Sequence, residues 1–275
     1  MEINIRDYAE AVAKLVGENA EVKEVAKANG VVKFGILVKQ GTISPTIYLE
    51  EMYENNYSVQ QAAAIVLDIA EKNKVQDGAF DTSKFLDYEG YVKPNLRARL
   101  YNKSTEADVY RSAASRGFKG LIIVPYVELP ETINGERGSV KVRKEHIDKW
   151  GVSEKEVIDA ALKNSAEEVQ IRDLFGMVHE MSGMELPGLA DSEMPLVVTN
   201  KSTMYGASAI LGLISTFKEK YKNGFFVLPS SIHEVLVMPN NGDSSIEMFN
   251  AMVHDVNTTT VLPEEVLADN AFFFA

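Results

Sequence analysis

The run Leu228-Pro229-Ser230-Ser231-Ile232-His233-Glu234-Val235-Leu236-Val237-Met238-Pro239 gathers two hydroxyls, an imidazole and a carboxylate at the mouth of an apolar stretch. In an extended segment the two-residue spacing puts Ser231 and His233 on one face, where a hydroxyl and an imidazole can meet as nucleophile and base. Glu234 then points to the opposite face, so it cannot orient the ring as the third member of a triad must. That acid has to come from elsewhere, for example from Asp243 or Asp255. No Gly-x-Ser-x-Gly nucleophile elbow occurs in the chain.

A structural account of the same residues asks for less. Pro229 suits the second position of a turn, Ser230 and Ser231 suit its later positions, and the chain then enters a strand. His233, Val235 and Val237 would share one face of that strand, with Ile232, Glu234, Leu236 and Met238 on the other. Two apolar faces imply cover on both sides, so His233 and Glu234 are expected to be partly buried and hydrogen-bonded. Held neutral in such a sheet, His233 would tolerate replacement by leucine with folding nearly intact, because the desolvation cost of the imidazole leaves with its bonds.

Each histidine has an acid beside it: Glu145-His146, His179-Glu180, His233-Glu234 and His254-Asp255. Sequence neighbours do not face each other on a helix or a strand, so these are not dyads. No second histidine follows at the spacing of a helical His-Glu-x-x-His or a strand His-x-His, and no metal site is assigned. His254 and Asp255 join His233 only if the fold converges them. Glycine-rich phosphate loops are absent too, so no cofactor is implied. The catalytic candidates are therefore Ser231, His233 and Glu234, and the binding candidates are Ser230, Ser231, His233, Glu234, His254 and Asp255.

The elements that must position these residues follow from the patterning. Tyr8, Val12, Leu15 and Val16 predict a helix closed by Gly17, and Asn29-Gly30 predicts a hairpin between Glu21–Lys27 and Val31–Lys39. A third strand falls near Ile47-Tyr48-Leu49, and Ser58 with Gln61 forms a capping box for the next helix. Tyr88 to Tyr110 reads as helical, broken near Pro94 and Asn102-Lys103-Ser104. Its Arg97, Arg99 and tyrosines, with Arg111 and Arg116 beyond, suit either base stacking or long side chains paired with acids along a helix, and the acidic balance favours the second. Phe118 to Val127 is a buried strand paired with Ser139–Lys144 through an Asn134-Gly135 and Gly138 turn region. Ser153 and Glu156 cap a further helix, a longer one covers Ala166 to Met181, and Gly183 to Pro195 is a flexible connector. Strands at Leu196–Thr199 and Phe225–Leu228, a helix capped by Ser244 with Glu247 and a short Pro263-led helix complete the C-terminal part. The tail Phe272-Phe273-Phe274 is expected to add an edge strand or to dock on a second copy of the chain.

Strands in adjacent pairs favour α+β, mainly antiparallel sheets with packed helices, in two sub-domains: residues 1–104 and residues 105–275, the latter holding the 183–195 connector. The 275 residues carry a formal charge of −12, 45% apolar residues and no cysteine. That charge argues against a broad nucleic-acid surface, with Lys141, Arg143 and Lys144 the one short basic run. Missing cysteine removes disulfides and thiolate chemistry. The start, Met1 to Asp7, lacks a basic leader with an apolar run, no stretch suits a membrane span, and a cytoplasmic location is expected.

Several segments together resemble one family. Asn29-Gly30-Val31, Ser44-Pro45-Thr46-Ile47-Tyr48-Leu49, Arg99-Leu100-Tyr101-Asn102, Val198-Thr199-Asn200, Gly206-Ala207, Leu228 to Glu234, Val256-Asn257 and Pro263 to Asp269 are similar to an uncharacterised bacterial domain-of-unknown-function family, numbered 5688. The Pro-Ser-Ser-Ile-His-Glu run is the most specific piece. The resemblance carries no reaction and implies an accessory role. The sequence thus points to a cytoplasmic accessory or binding protein without catalysis, with a protein or small molecule as partner and a homodimer as one arrangement. The alternative is a hydrolase or metal-dependent enzyme centred on Ser231 and His233.

Overall fold

The computed structural model describes residues 3–40, 44–74, 81–133, 136–184 and 193–275. It is an α+β fold, and every strand register among the described residues is antiparallel. Two compact units divide the chain: Met1–Thr82 with Pro130–Gly138, and Ser83–Leu129 with Ser139–Ala275. No described helix is long and apolar enough to cross a membrane.

In the first unit α1 (Ile5–Val16) starts at Asn4, whose side chain accepts the Asp7 N–H. Its apolar positions place Tyr8, Ala9 and Val12 in a core with Ile36, Val38, Ile47, Leu49 and Val66. β1 (Ala20–Ala26) and β2 (Val32–Val38) pair around the Asn29-Gly30 turn, where both residues take positive φ, 59° and 74°. β3 (Thr46–Tyr48) adds to β2, followed by α2 (Glu50–Glu54) and by α3 (Val59–Lys72) behind the Ser58–Gln61 capping box.

The second unit begins with a departure from the sequence pattern. Within Tyr88 to Tyr110 the helical parts are Tyr88–Asn95, as single turns, and the short helix that starts at Ala107, while Leu96–Asn102 is the strand β4. It pairs along its length with β6 (Leu121–Ile133), turning Leu96, Ala98 and Leu100 into the core and Arg97, Arg99 and Tyr101 to the other side. Long amphipathic side chains disguised this two-residue period as a helical surface. The outer edge of β4 is sealed by side chains: Ala98 N–H donates to Ser165 Oγ at 2.9 Å, and Ser208 Oγ donates to Ala98 O at 2.7 Å. At Ala98 this edge is closed to a further strand.

α4 (Ala107–Ser112), β5 (Arg116–Phe118) and β7 (Glu136–Lys141) follow, with β5 and β7 both paired to β6. The expected Asn134-Gly135 turn lies outside the described residues. After α5 (Lys144–Trp150) comes α6 (Glu154–Ala166), capped by Ser153 as its spacing required. The single helix expected over Ala166 to Met181 is instead β8 (Val169–Asp173) and α7 (Leu174–Ser182). Pairing of β8 with β9 (Leu196–Asn200) overrides local helical spacing, and Asp173 then restarts a helix by accepting the Gly176 N–H. Of the connector expected over 183–195, residues 185–192 lie outside the described ones.

The remaining elements are α8 (Ile214–Lys220), β10 (Phe225–Leu228), β11 (Val235–Pro239), α9 (Ile246–Thr259) and β12 (Phe272–Phe274). Ser245, one residue later than the spacing suggested, caps α9. The sheet order is β12-β10-β11-β9-β8. One face of this sheet sends Phe225, Val227, Val235, Val237 and Phe274 into the main core, while α9 covers Phe226 and Leu228 with Phe249 and Val253.

The tail is an edge strand on β10 within its own chain, with Phe274 stacked 5.2 Å from Phe225 while Phe273 stays 40% exposed. Phe274→Ala is therefore expected to cost about 3–5 kcal/mol of stability in urea unfolding, and Phe273→Ala clearly less. Equal, small effects would mean that the strand is not held as described.

Candidate functional site

The segment 229–234 links β10 to β11 and is not itself a strand, contrary to the expected strand from Ile232, which begins only at Val235. Its backbone is taken up by a different neighbour. Ile232 N–H donates to Glu265 O, Leu267 N–H to Ser230 O and Ala268 N–H to Pro229 O, each at 3.0 Å, and Ser231 bridges Val266. These four residues of one segment bind the short turn of Pro263–Glu265 and its exit. They also deliver Glu265 to the histidine.

His233 is the centre of the arrangement. Its Nδ1 accepts the Tyr205 backbone N–H at 3.2 Å, and its Nε2 lies 3.2 Å from Glu265 Oε1. An Nδ1 that accepts a backbone N–H carries no proton, so the neutral ring holds its proton on Nε2, toward the carboxylate. The His233 carbonyl accepts Thr199 Oγ1–H at 2.8 Å. Its own N–H donates to Ser231 Oγ at 3.0 Å, so the buried Ser231 hydroxyl turns onto the backbone and not toward the ring.

Tyr205 is held between two planar groups. Its ring stacks on His233 with centroids 5.5 Å apart, and the Arg99 guanidinium lies 3.2 Å from its centroid. Tyr126 stands 4.8 Å from the same guanidinium, and burial pushes its hydroxyl up to about 12, so it faces Arg99 as a neutral ring. Arg99 Nη1 donates to Tyr101 Oη at 3.2 Å, while Nε and Nη2 are buried without a hydrogen-bond partner among the described residues. Buried donors left so cost about 1–3 kcal/mol each. Arg97, on the same strand face, is paired: its Nη2 donates to Glu168 Oε1 at 2.7 Å.

The loop that carries Tyr205 is strained. Thr203 and Tyr205 both have positive φ, 58° and 56°, in a region that costs a non-glycine residue about 1–2 kcal/mol. Gly206 follows because nothing larger fits: a Cβ there would sit 2.6 Å from both Asn200 N and His233 O.

Of the residues singled out by sequence, the structure brings Ser230, Ser231 and His233 into this arrangement. Glu234 is half-buried next to it but, among the described residues, makes no bond to the imidazole. His254 and Asp255 are exposed on α9, the helix that covers the Phe226 and Leu228 face, and are not joined to His233. The acid at the ring is Glu265, neither Asp243 nor Asp255. Tyr205 and Glu265 gave no local signal, since their role depends on contacts 28 and 32 positions away. Among the described residues no three of His, Cys, Asp and Glu gather as a metal site would need.

A model of a family of unknown function, DUF5688, matches residues 4–275. The chain belongs to this family. No curated protein and no solved structure matches it.

Leucine at 233 would leave the Tyr205 N–H without an acceptor and Glu265 without its neighbour, so the tolerance expected from sequence alone no longer follows. His233→Leu is expected to lower unfolding stability by about 2 kcal/mol or more, measured by chemical denaturation. A neutral or stabilising effect would show that these contacts are incidental.

Proposed function

We propose that the protein is a cytoplasmic accessory binding module without catalysis, and that His233 is a structural strut of its binding region. The observation that carries this reading is the Nδ1 acceptance of the Tyr205 N–H, with Nε2 facing Glu265. A general base needs one nitrogen toward its acid and the other toward the nucleophile. Here both ring nitrogens are committed, and the Ser231 hydroxyl accepts a backbone N–H. The strained Thr203–Tyr205 turn and the partnerless Arg99 donors support recognition in place of turnover, since strain of this kind is found at ligand clamps and a ligand can satisfy such donors.

The test is a screen of esterase and phosphatase substrates, with and without divalent cations, on the full chain. The expected result is no rate above the buffer blank. Turnover that disappears in Ser231→Ala, with its melting temperature unchanged, would establish the hydrolase reading instead.

A further inference from the structure

We propose that Arg99 anchors a binding site for a small ligand bearing an oxyanion, a carboxylate or a phosphate, and that the Tyr205 ring is the wall of that site over one face of the guanidinium. This deepens the binding-module reading and rests on it.

The first observation is electrostatic. The chain has 40 acidic residues against 28 Lys and Arg. Arg97 and Arg116 accordingly find Glu168 and Asp159. Yet among the described residues no carboxylate pairs with Arg99, and its Nε and Nη2, the edge that grips a carboxylate or phosphate with two parallel bonds, have no acceptor. Lys141, likewise without a carboxylate, places its ammonium 4.9 Å from the Tyr101 ring whose hydroxyl Arg99 bonds. Two cations without a carboxylate among the described residues thus flank one tyrosine in an acidic protein.

The second observation is conformational and independent of charge. Tyr205 reaches the guanidinium only from a left-handed backbone, on a loop whose residues Lys201 to Met204 are exposed. An oxyanion meeting Nε and Nη2 supplies the missing acceptors, while Tyr205, tied to His233 through its backbone N–H, stays stacked on the guanidinium. The left-handed backbone at Thr203 and Tyr205 is then the cost of presenting the ring to the guanidinium, strain of the kind found at ligand clamps.

Calorimetric titration of the full chain with inorganic phosphate and, separately, with succinate at constant ionic strength tests this. Saturable binding of at least one is expected, and the responding anion identifies the source, phosphate or carboxylate. Arg99→Gln should weaken binding tenfold or more, Arg99→Lys nearly as much because the two-pronged edge is lost, and Lys141→Met severalfold. Tyr205→Gly, which accepts positive φ and removes the ring that holds the guanidinium, should bind severalfold more weakly. No saturable binding in wild type overturns the proposal, as does unchanged affinity in a folded Arg99→Gln. If Arg99→Gln does not fold, unchanged affinity in Lys141→Met overturns it. Unchanged or tighter binding by a folded Tyr205→Gly would overturn the part of the proposal that makes Tyr205 a wall of the site. Hydrolytic turnover with oxyanion binding retained would remove only the non-catalytic reading.

Discussion

The imidazole of His233 takes a backbone N–H from the loop after β9 on one nitrogen and faces a carboxylate from the turn before β12 on the other. Three chain segments that are distant in sequence therefore meet on one ring. Because the Tyr205 N–H is fixed to Nδ1, the Tyr205 side chain is held over Arg99, and the loop is kept in a backbone conformation it would otherwise leave. The geometry propagates from there: Gly206 packs against the His233 carbonyl, the 3₁₀ turn that begins at Gly206 presents Ser208, and Ser208 seals the edge of β4. The network joins the five-stranded sheet to the β4–β6 sheet through polar contacts at the margin of a shared apolar core.

The balance of forces at this margin is uneven. The core beneath, with Phe225, Leu96, Leu100 and Val235 nearly or fully buried, supplies the bulk of the stabilising free energy. The polar layer contributes little net stability, and two of its parts oppose folding: the left-handed Thr203 and Tyr205, and the Arg99 donors without acceptors. A protein with a large core can tolerate such a region, and regions of this kind concentrate where something is recognised.

Much of the fold was legible in the sequence because local rules and tertiary packing agreed. The Asn29-Gly30 turn, the Ser58–Gln61 box and the Ser153 cap each declare an element boundary through a hydrogen bond made within a few residues. The phenylalanine tail declared itself by what exposure of three aromatic rings would cost. Failures came where pairing with a distant strand outweighed local spacing. Leu96–Asn102 looked helical until β6 lay beside it, and Val169–Asp173 until β9 did. The site was legible in half: Ser231 and His233 stood out by residue type, yet their chemistry depends on Tyr205 and Glu265, whose approach no spacing rule encodes. Arg99 was visible only as one arginine among several, and that no acid pairs with it among the described residues is a fact of three dimensions.

The arrangement around His233 depends on the proton of one ring. A long-range proton–nitrogen correlation spectrum of the uniformly ¹⁵N-labelled protein at neutral pH distinguishes the two neutral tautomers of each histidine, with Tyr205→Gly and His233→Asn assigning the signal. The arrangement described here predicts that His233 is protonated on Nε2 and that Nδ1 is the bare, accepting nitrogen. A proton on Nδ1, or a ring exchanging rapidly between tautomers, would mean that Tyr205 is not tied to His233 and that the imidazole is free for another role.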